Sequence, residues 1–256
     1  MLFLGDIVGR PGREAVRDGL PALMEKYEPD FVVANAENAA GGMGITPELA
    51  TELFSLGMDA LTLGNHTWSK KDIVTFLDDE PRLVRPLNFP PGVPGRGYTV
   101  VERQGVRLGI INLMGRVFSD VHLDCPFRTG EAAIDELRSR AEFVLVDMHA
   151  DATSEKIALA MYLDGRVTAV IGTHTHVQTA DERVLPGGTA FITDAGMCGP
   201  MNSVIGMRPA ESIRRFLTQI PERLEVASGR ATLQGVVVEA RAGGRAVSIE
   251  RFTIIP

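Results

Sequence analysis

VTAVIGTHTH, residues Val167 to His176, runs six strand-type residues straight into a segment carrying two imidazoles. The run Val167 to Gly172 is apolar on both of its alternating faces, as an interior strand covered from both sides must be. Working outward, the same order recurs. MLFLG (Met1 to Gly5) runs into Asp6, and FVVAN (Phe31 to Asn35) into Glu37 and Asn38. ALTLG (Ala60 to Gly64) runs into Asn65 and His66, and FVLVDM (Phe143 to Met148) into His149. Stretches of helical period separate these runs: Gly12 to Tyr27 with Pro21 as an expected break, Pro47 to Leu56 with Thr46 as N-cap, Ser69 to Leu77, Gly130 to Arg140, and Ser154 to Leu163. Alternating strands and helices predict an α/β layered domain. Two hairpins, turning at Gln104-Gly105 and Gly243-Gly244, predict antiparallel pairing beside the parallel strands. The longest Pro/Gly-rich segment, Pro86 to Gly97, leads directly into a strand, so residues 1–256 are expected to form a single domain.

Composition narrows the function. With 256 residues, 45% of them hydrophobic and 23% charged, the chain can bury an ordinary core. Its 26 basic and 33 acidic residues give −7, which offers no overall attraction for a nucleic-acid backbone or an anionic membrane. Extended nucleic acid is therefore not expected as a partner, and a phosphate-bearing ligand needs a local positive site. Two cysteines without a CxxC suit a reducing compartment, and no apolar run is long enough to span a membrane. These features lead us to expect a soluble cytoplasmic protein.

The polar residues named above sit at the C-terminal ends of strands, the edge where open α/β sheets gather ligands. Four of the five histidines belong to this set, and only His122 lies outside it. Taken singly, each has an ordinary explanation: Asp6 as a turn residue, His149 as a hydrogen-bonded core histidine. GTHTH is harder to explain away, since two imidazoles two residues apart can diverge towards two metals. Five consecutive strand ends bearing carboxylate, amide or imidazole groups point to a metal site.

The ordered series GD (Gly5-Asp6), AEN (Ala36 to Asn38), GNH (Gly64 to His66), His149 and GTHTH resembles the motifs of calcineurin-like dinuclear metallophosphoesterases. Val8 stands where that superfamily usually has a metal-binding His, and Glu37 where the bridging residue is usually Asp. Those departures, with GDIVGRPGR at the start and TDAGMCGP (Thr193 to Pro200), look like the bacterial YmdB-type branch. The resemblance implies a four-layer sandwich, two mixed β-sheets packed together and flanked by helices. It also implies phosphoester hydrolysis, with 2',3'-cyclic or 3',5'-cyclic nucleoside monophosphates as substrates, and a homo-oligomer.

Carried over by the resemblance, metal one would be held by Asp6, Glu37, Asn38 and His176, and metal two by Glu37, Asn65, His149 and His174, with Glu37 bridging. Asn38 is assigned by adjacency, as the donor that replaces the one lost at Val8. Oxygen and nitrogen donors without thiolate suit manganese, iron, zinc or cobalt, and iron or manganese is the expectation that goes with the resemblance. Two divalent ions set +4 against the −2 of Asp6 and Glu37, so a net-acidic chain still attracts phosphate at one spot. A metal pair about 3.5 to 4 Å apart activates a bridging hydroxide for in-line attack. His66, next to Asn65, is the candidate general acid for the leaving alkoxide; the alternative is that it only braces Asn65.

Weaker signals stay open in the sequence. GRPGR (Gly9 to Arg13) reads as an anion site at a helix start or as a plain turn, and Arg116 as a phosphate contact or a solvated side chain. Asp194 reads as a partner of a metal-binding His or as a loop cap. Trp68 reads as a base-stacking ring or as core, while Cys125 and Cys198 read as packing residues rather than nucleophiles. Two further functional classes remain: a nucleotide-binding regulatory protein with slow or incidental hydrolysis, and a nuclease or protein phosphatase on the same scaffold.

Overall fold

A computed structural model describes all residues, Met1–Pro256. In chain order the first half contains β1 (Leu2–Leu4), β2 (Asp6–Ile7), α1 (Gly9–Tyr27), β3 (Val32–Asn35), α2 (Pro47–Ser55), β4 (Ala60–Thr62), α3 (Ile73–Asp79), β5 (Leu83–Val84), β6 (Tyr98–Arg103) and β7 (Val106–Met114). The second half contains α4 (Pro126–Leu137), β8 (Phe143–His149), α5 (Thr153–Tyr162), β9 (Ala169–Thr173), β10 (Arg183–Val184), β11 (Ala190–Ile192), β12 (Met197–Pro200), α6 (Pro209–Thr218), β13 (Ala231–Ala240) and β14 (Ala246–Ile254).

The strands form two mixed sheets. One has eight strands in the order β2-β12-β13-β1-β3-β4-β5, with β14 paired to β13; the other has six in the order β10-β11-β9-β8-β7-β6. β1, β3 and β4 run parallel, as do β7, β8 and β9, while β13 lies antiparallel to β1 and β6 antiparallel to β7.

Strand alternation explains the layering. Leu2 and Leu4 of β1 and Val32 and Ala34 of β3 pack with Val16, Leu20 and Leu23 of α1 and Leu53 of α2, whereas Phe3 and Val33 point the other way. Across the molecule, Val144 and Val146 of β8 face Ile134 and Leu137 of α4 and Leu159 of α5, whereas Leu145 meets Phe3 and Val33 in a core shared by the two sheets. The order is helices, sheet, sheet, helices: the expected four-layer sandwich. Both faces of each central strand are buried, which is why these strands read as continuous apolar runs.

Two local expectations are corrected. Pro21 does not break α1, which runs unbroken through it from Gly9 to Tyr27. Pro21 lies on the exposed side of the helix, where the carbonyl that loses its N–H partner can turn to water. α4 begins at Pro126, four residues before Gly130, because a proline at a helix start costs no intrahelical bond. Thr46 caps α2 as expected, its hydroxyl accepting from Leu49 N–H.

Candidate metal centre

The registers bring the strand ends together. Asn35 pairs with Thr62 on the first sheet, and Met114, His149 and Thr173 align on the second, so the residues following them meet at one rim between the sheets. Two glycines make the approach possible. A Cβ on Gly64 would sit 2.4 Å from the His149 ring and 2.5 Å from Glu37 Oε2, and one on Gly172 would sit 1.7 Å from the Thr193 carbonyl oxygen.

His149 Nε2 is the focus. Glu37 Oε1 lies 3.0 Å from it, Asn65 Oδ1 2.9 Å and His174 Nδ1 3.0 Å. Glu37, His149 and His174 each offer a ligand atom within 4.8 Å of the others and could hold a metal ion. Asp6 is fully buried, with Oδ2 accepting from His174 N–H at 3.1 Å and Oδ1 without a hydrogen-bond partner. That orphaned oxygen lies 3.9 Å from both His149 Nδ1 and His176 Nε2. Asn38 spends its amide on the Gly42 carbonyl at 2.9 Å, and its buried Oδ1 also has no partner.

The tautomers follow from counting protons. His176 Nδ1 faces the Ile205 carbonyl at 2.8 Å, an acceptor only, so Nδ1 donates and Nε2 keeps its lone pair towards Asp6. For His149 the count starts at Asp147. Its buried carboxylate accepts from Thr62 Oγ1 at 2.5 Å, Thr173 Oγ1 at 2.7 Å and Asn35 Nδ2 at 3.1 Å. The second Asn35 amide proton goes to the Leu63 carbonyl. Thr173, its only proton given to Asp147, must accept from His149 Nδ1 at 2.9 Å. His149 Nε2 is thereby aimed at Glu37, Asn65 and His174. His174 Nε2 lies 3.4 Å from Asp151 Oδ2, which leaves its Nδ1 facing the same point.

Charge follows geometry. Burial alone would depress the His149 pKa, but Glu37, Asp6 and Asp147 outweigh it and raise it to about 9. Burial would raise Glu37, yet His149 and His66 hold it down at about 2. Burial, reinforced by the charge on His149, pulls His174 down to about 4, and burial carries Asp6 up to about 6. Without a metal, one proton on His149 Nε2 serves three acceptors, at the place where the donor set suits a cation.

His66 sits beside this group. Its backbone N–H donates to Glu37 Oε2 at 2.9 Å, and its Nε2 lies 3.3 Å from Asn65 Nδ2, an amide that can only donate. Burial lowers its pKa, and the ring borders the cleft.

The open alternatives resolve in structural terms. Asp194 touches no imidazole: it accepts from Thr175 N–H and Oγ1 and from the fully buried Lys156 ammonium at 2.8 Å. It thus caps the segment holding His174 and His176, whose φ values of 98° and 64° are uncommon for non-glycine residues. Trp68 packs against Phe89 with ring centroids 5.5 Å apart. Arg13 donates to the Ala39 carbonyl, and Cys198 is buried with its thiol pushed up to about 12. Asp147, Thr173 and Asp151 were missed in the sequence, although a carboxylate inside the apolar run FVLVDM was a usable signal.

A cleft of about 310 Å³ opens over Asn65, His66, His149 and His174, and no Lys or Arg lines it.

A family model described as YmdB-like protein matches residues 2–252. The chain belongs to the YmdB-like family. A Bacillus subtilis (strain 168) protein named 2',3'-cyclic-nucleotide 2'-phosphodiesterase is 51% identical over 255 residues, covering 99% of this chain and 96% of that protein. A hypothetical protein from Thermus thermophilus superposes with TM-score 0.93 at 43% identity, covering 99% of this chain and 98% of the other. A structure described as a novel phosphatase from Mycoplasma pneumoniae also gives TM-score 0.93, at 38% identity, covering 99% and 92%.

Proposed function

We propose that the protein is a metal-dependent phosphodiesterase that opens small cyclic nucleotides, 2',3'-cyclic nucleoside monophosphates first and 3',5'-cyclic ones second. The observation that carries the reading is the convergence of Glu37, Asn65 and His174 acceptor atoms on His149 Nε2 within 3.0 Å. The name of the Bacillus subtilis relative supports the substrate class. The two orphaned buried oxygens, Asp6 Oδ1 and Asn38 Oδ1, fit a second ion beside the first. In this reading Asp6, Glu37, Asn38 and His176 hold metal one, Glu37, Asn65, His149 and His174 hold metal two, and the oxygen and nitrogen donors suit iron or manganese, as they do zinc or cobalt.

Bound there, such ions supply Lewis acidity and acidify water. The chain does the rest. Asp151, Thr173 and the Ile205 carbonyl hold the three imidazoles in the tautomers that present a lone pair inward. With no Lys or Arg at the cleft, a singly charged diester is easier to accommodate than a doubly charged monoester. Water adds to phosphorus, the bond from phosphorus to one ribose oxygen breaks, and that oxygen takes a proton. We assign the donor as His66 in its imidazolium form, through Nδ1, the nitrogen not turned to the Asn65 amide; burial, which lowers its pKa, makes that form the stronger acid.

The test is hydrolysis of 2',3'-cyclic AMP by protein stripped with chelator, before and after manganese or iron is added back. Activity should vanish and return. Undiminished turnover by metal-free protein overturns the metal reading, and stoichiometric binding without turnover favours a regulatory role.

A further inference from the structure

The segment Gly115 to Asp124 leaves β7, and its residues Val117 to Val121 line the cleft before the chain enters α4. Both of its feet are pinned. Gly115 lies flush on Ala150, where a Cβ would come within 2.5 Å, and its N–H donates to the His149 carbonyl. The Glu155 carboxylate accepts from Arg116 N–H at 3.0 Å and Val117 N–H at 3.1 Å. Buried Asn88 donates to the carbonyls of Met114 and Asp124, tying the two ends together. Between these anchors Phe118 stands 83% exposed at φ 63°. A bulky ring in left-handed backbone, turned away from any core, is doubly unfavourable. It shares the cleft with His66, His149 and His174, and no Trp or Tyr does so.

We propose that Phe118 is the platform on which the nucleobase of the substrate stacks. The inference rests on the cyclic-nucleotide reading above. The metal-ligand rim receives the phosphate, the ribose spans the cleft, and the base comes against the ring that otherwise faces water. Stacking reads the face of a base and not its edge, so the platform accepts purines and pyrimidines alike, with purines favoured by area.

The test compares 2',3'-cyclic AMP with methyl ribofuranoside 2,3-cyclic phosphate, the same diester without a base, on metal-loaded wild type, Phe118→Ala and Phe118→Trp. Phe118→Ala should raise KM for the nucleotide about 5- to 30-fold with kcat nearly unchanged, and leave KM for the base-free diester where it was. Phe118→Trp should restore the nucleotide KM. An equal effect of Phe118→Ala on both substrates, or none on either, overturns the platform. Calorimetric binding of the two ligands is measured on the same proteins and reads the platform independently of turnover. A wild type that binds the nucleotide more tightly than the base-free diester, with the advantage lost in Phe118→Ala, but hydrolyses neither, sinks the phosphodiesterase reading and leaves the platform standing.

Discussion

Thr173→Val keeps the volume of the side chain and removes the hydroxyl that both donates to Asp147 and accepts from His149. The imidazole then loses the contact that selects its tautomer, and metal affinity should fall about 10- to 100-fold while the chain still folds. Titrating metal into the two proteins measures it; equal affinities would remove Thr173 from the site. His149 also makes metal binding compete with a proton. Its pKa of about 9 in the metal-free protein means that apparent affinity should weaken about tenfold for each pH unit below that value. Linkage fixes the stability of the metal-free protein as well. A histidine raised above its ordinary 6.5 stabilises fully below about pH 6.5 and loses that contribution as pH rises through about 9. Glu37, depressed from 4.5 to about 2, contributes above about pH 4.5 and loses it on acidification through about 2. The pair therefore contributes most between about pH 4.5 and 6.5, which thermal scans of chelated protein across pH would show. His66→Ala should keep its metals and lose about 10²- to 10⁴-fold on a ribose diester, but much less on a nitrophenyl diester, whose leaving group needs no proton. Equal losses on both would make His66 a brace for Asn65. The strand-end residues were legible because each follows an apolar run. Asp147 and Thr173 were not, because no motif tells which face of a buried strand a polar residue occupies.

Elements hold these residues in place by close approach and by buried charge. Gly64→Ala puts a methyl 2.4 Å from the His149 ring, so the variant should fold and bind metal poorly. Lys156 on α5 and Asp194 after β11 form a fully buried ion pair behind the GTHTH turn. Lys156→Met strands the carboxylate and should cost about 3 to 5 kcal/mol in chemical denaturation of the metal-free protein. A change under about 1 kcal/mol would mean that Asp194 is satisfied by Thr175 and Gly196 alone. The helices and central strands were readable from their periods, and the layering from runs apolar on both faces. What escaped was short or atypical. β2, β5 and β10 have two residues each, too few to show a period, and β12 reads MCGP, whose Gly and Pro look like a turn. α6 escaped because Ile213, Phe216 and Leu217 repeat at helical spacing yet face outward, so no core partner accompanied the pattern.

For the whole molecule, the candidate centre is a clasp between two sheets: Asp6, Glu37 and Asn65 follow strands of one, and His149 and His174 belong to or follow strands of the other. A metal bound there stabilises the packed pair and not the unfolded chain. At about a hundredfold excess over Kd the gain is about 2.7 kcal/mol, so chelation should lower Tm by roughly 5 to 10 °C. Calorimetry with and without chelator measures it, and an unchanged Tm would mean that no structural energy flows through the site. The first strand carries another consequence. β1 lies between β3 and β13, with Leu2 opposite Val32 on one side and Val237 on the other. During synthesis, residues 2–4 wait for a neighbour made more than two hundred residues after them. Until β13 is synthesised, one edge of β1 stays open and Asp6 lacks the backing strands that bury it. Helix α1, which packs on β12 and β13, waits with that strand, so the candidate centre assembles only once residues 231–240 have been made.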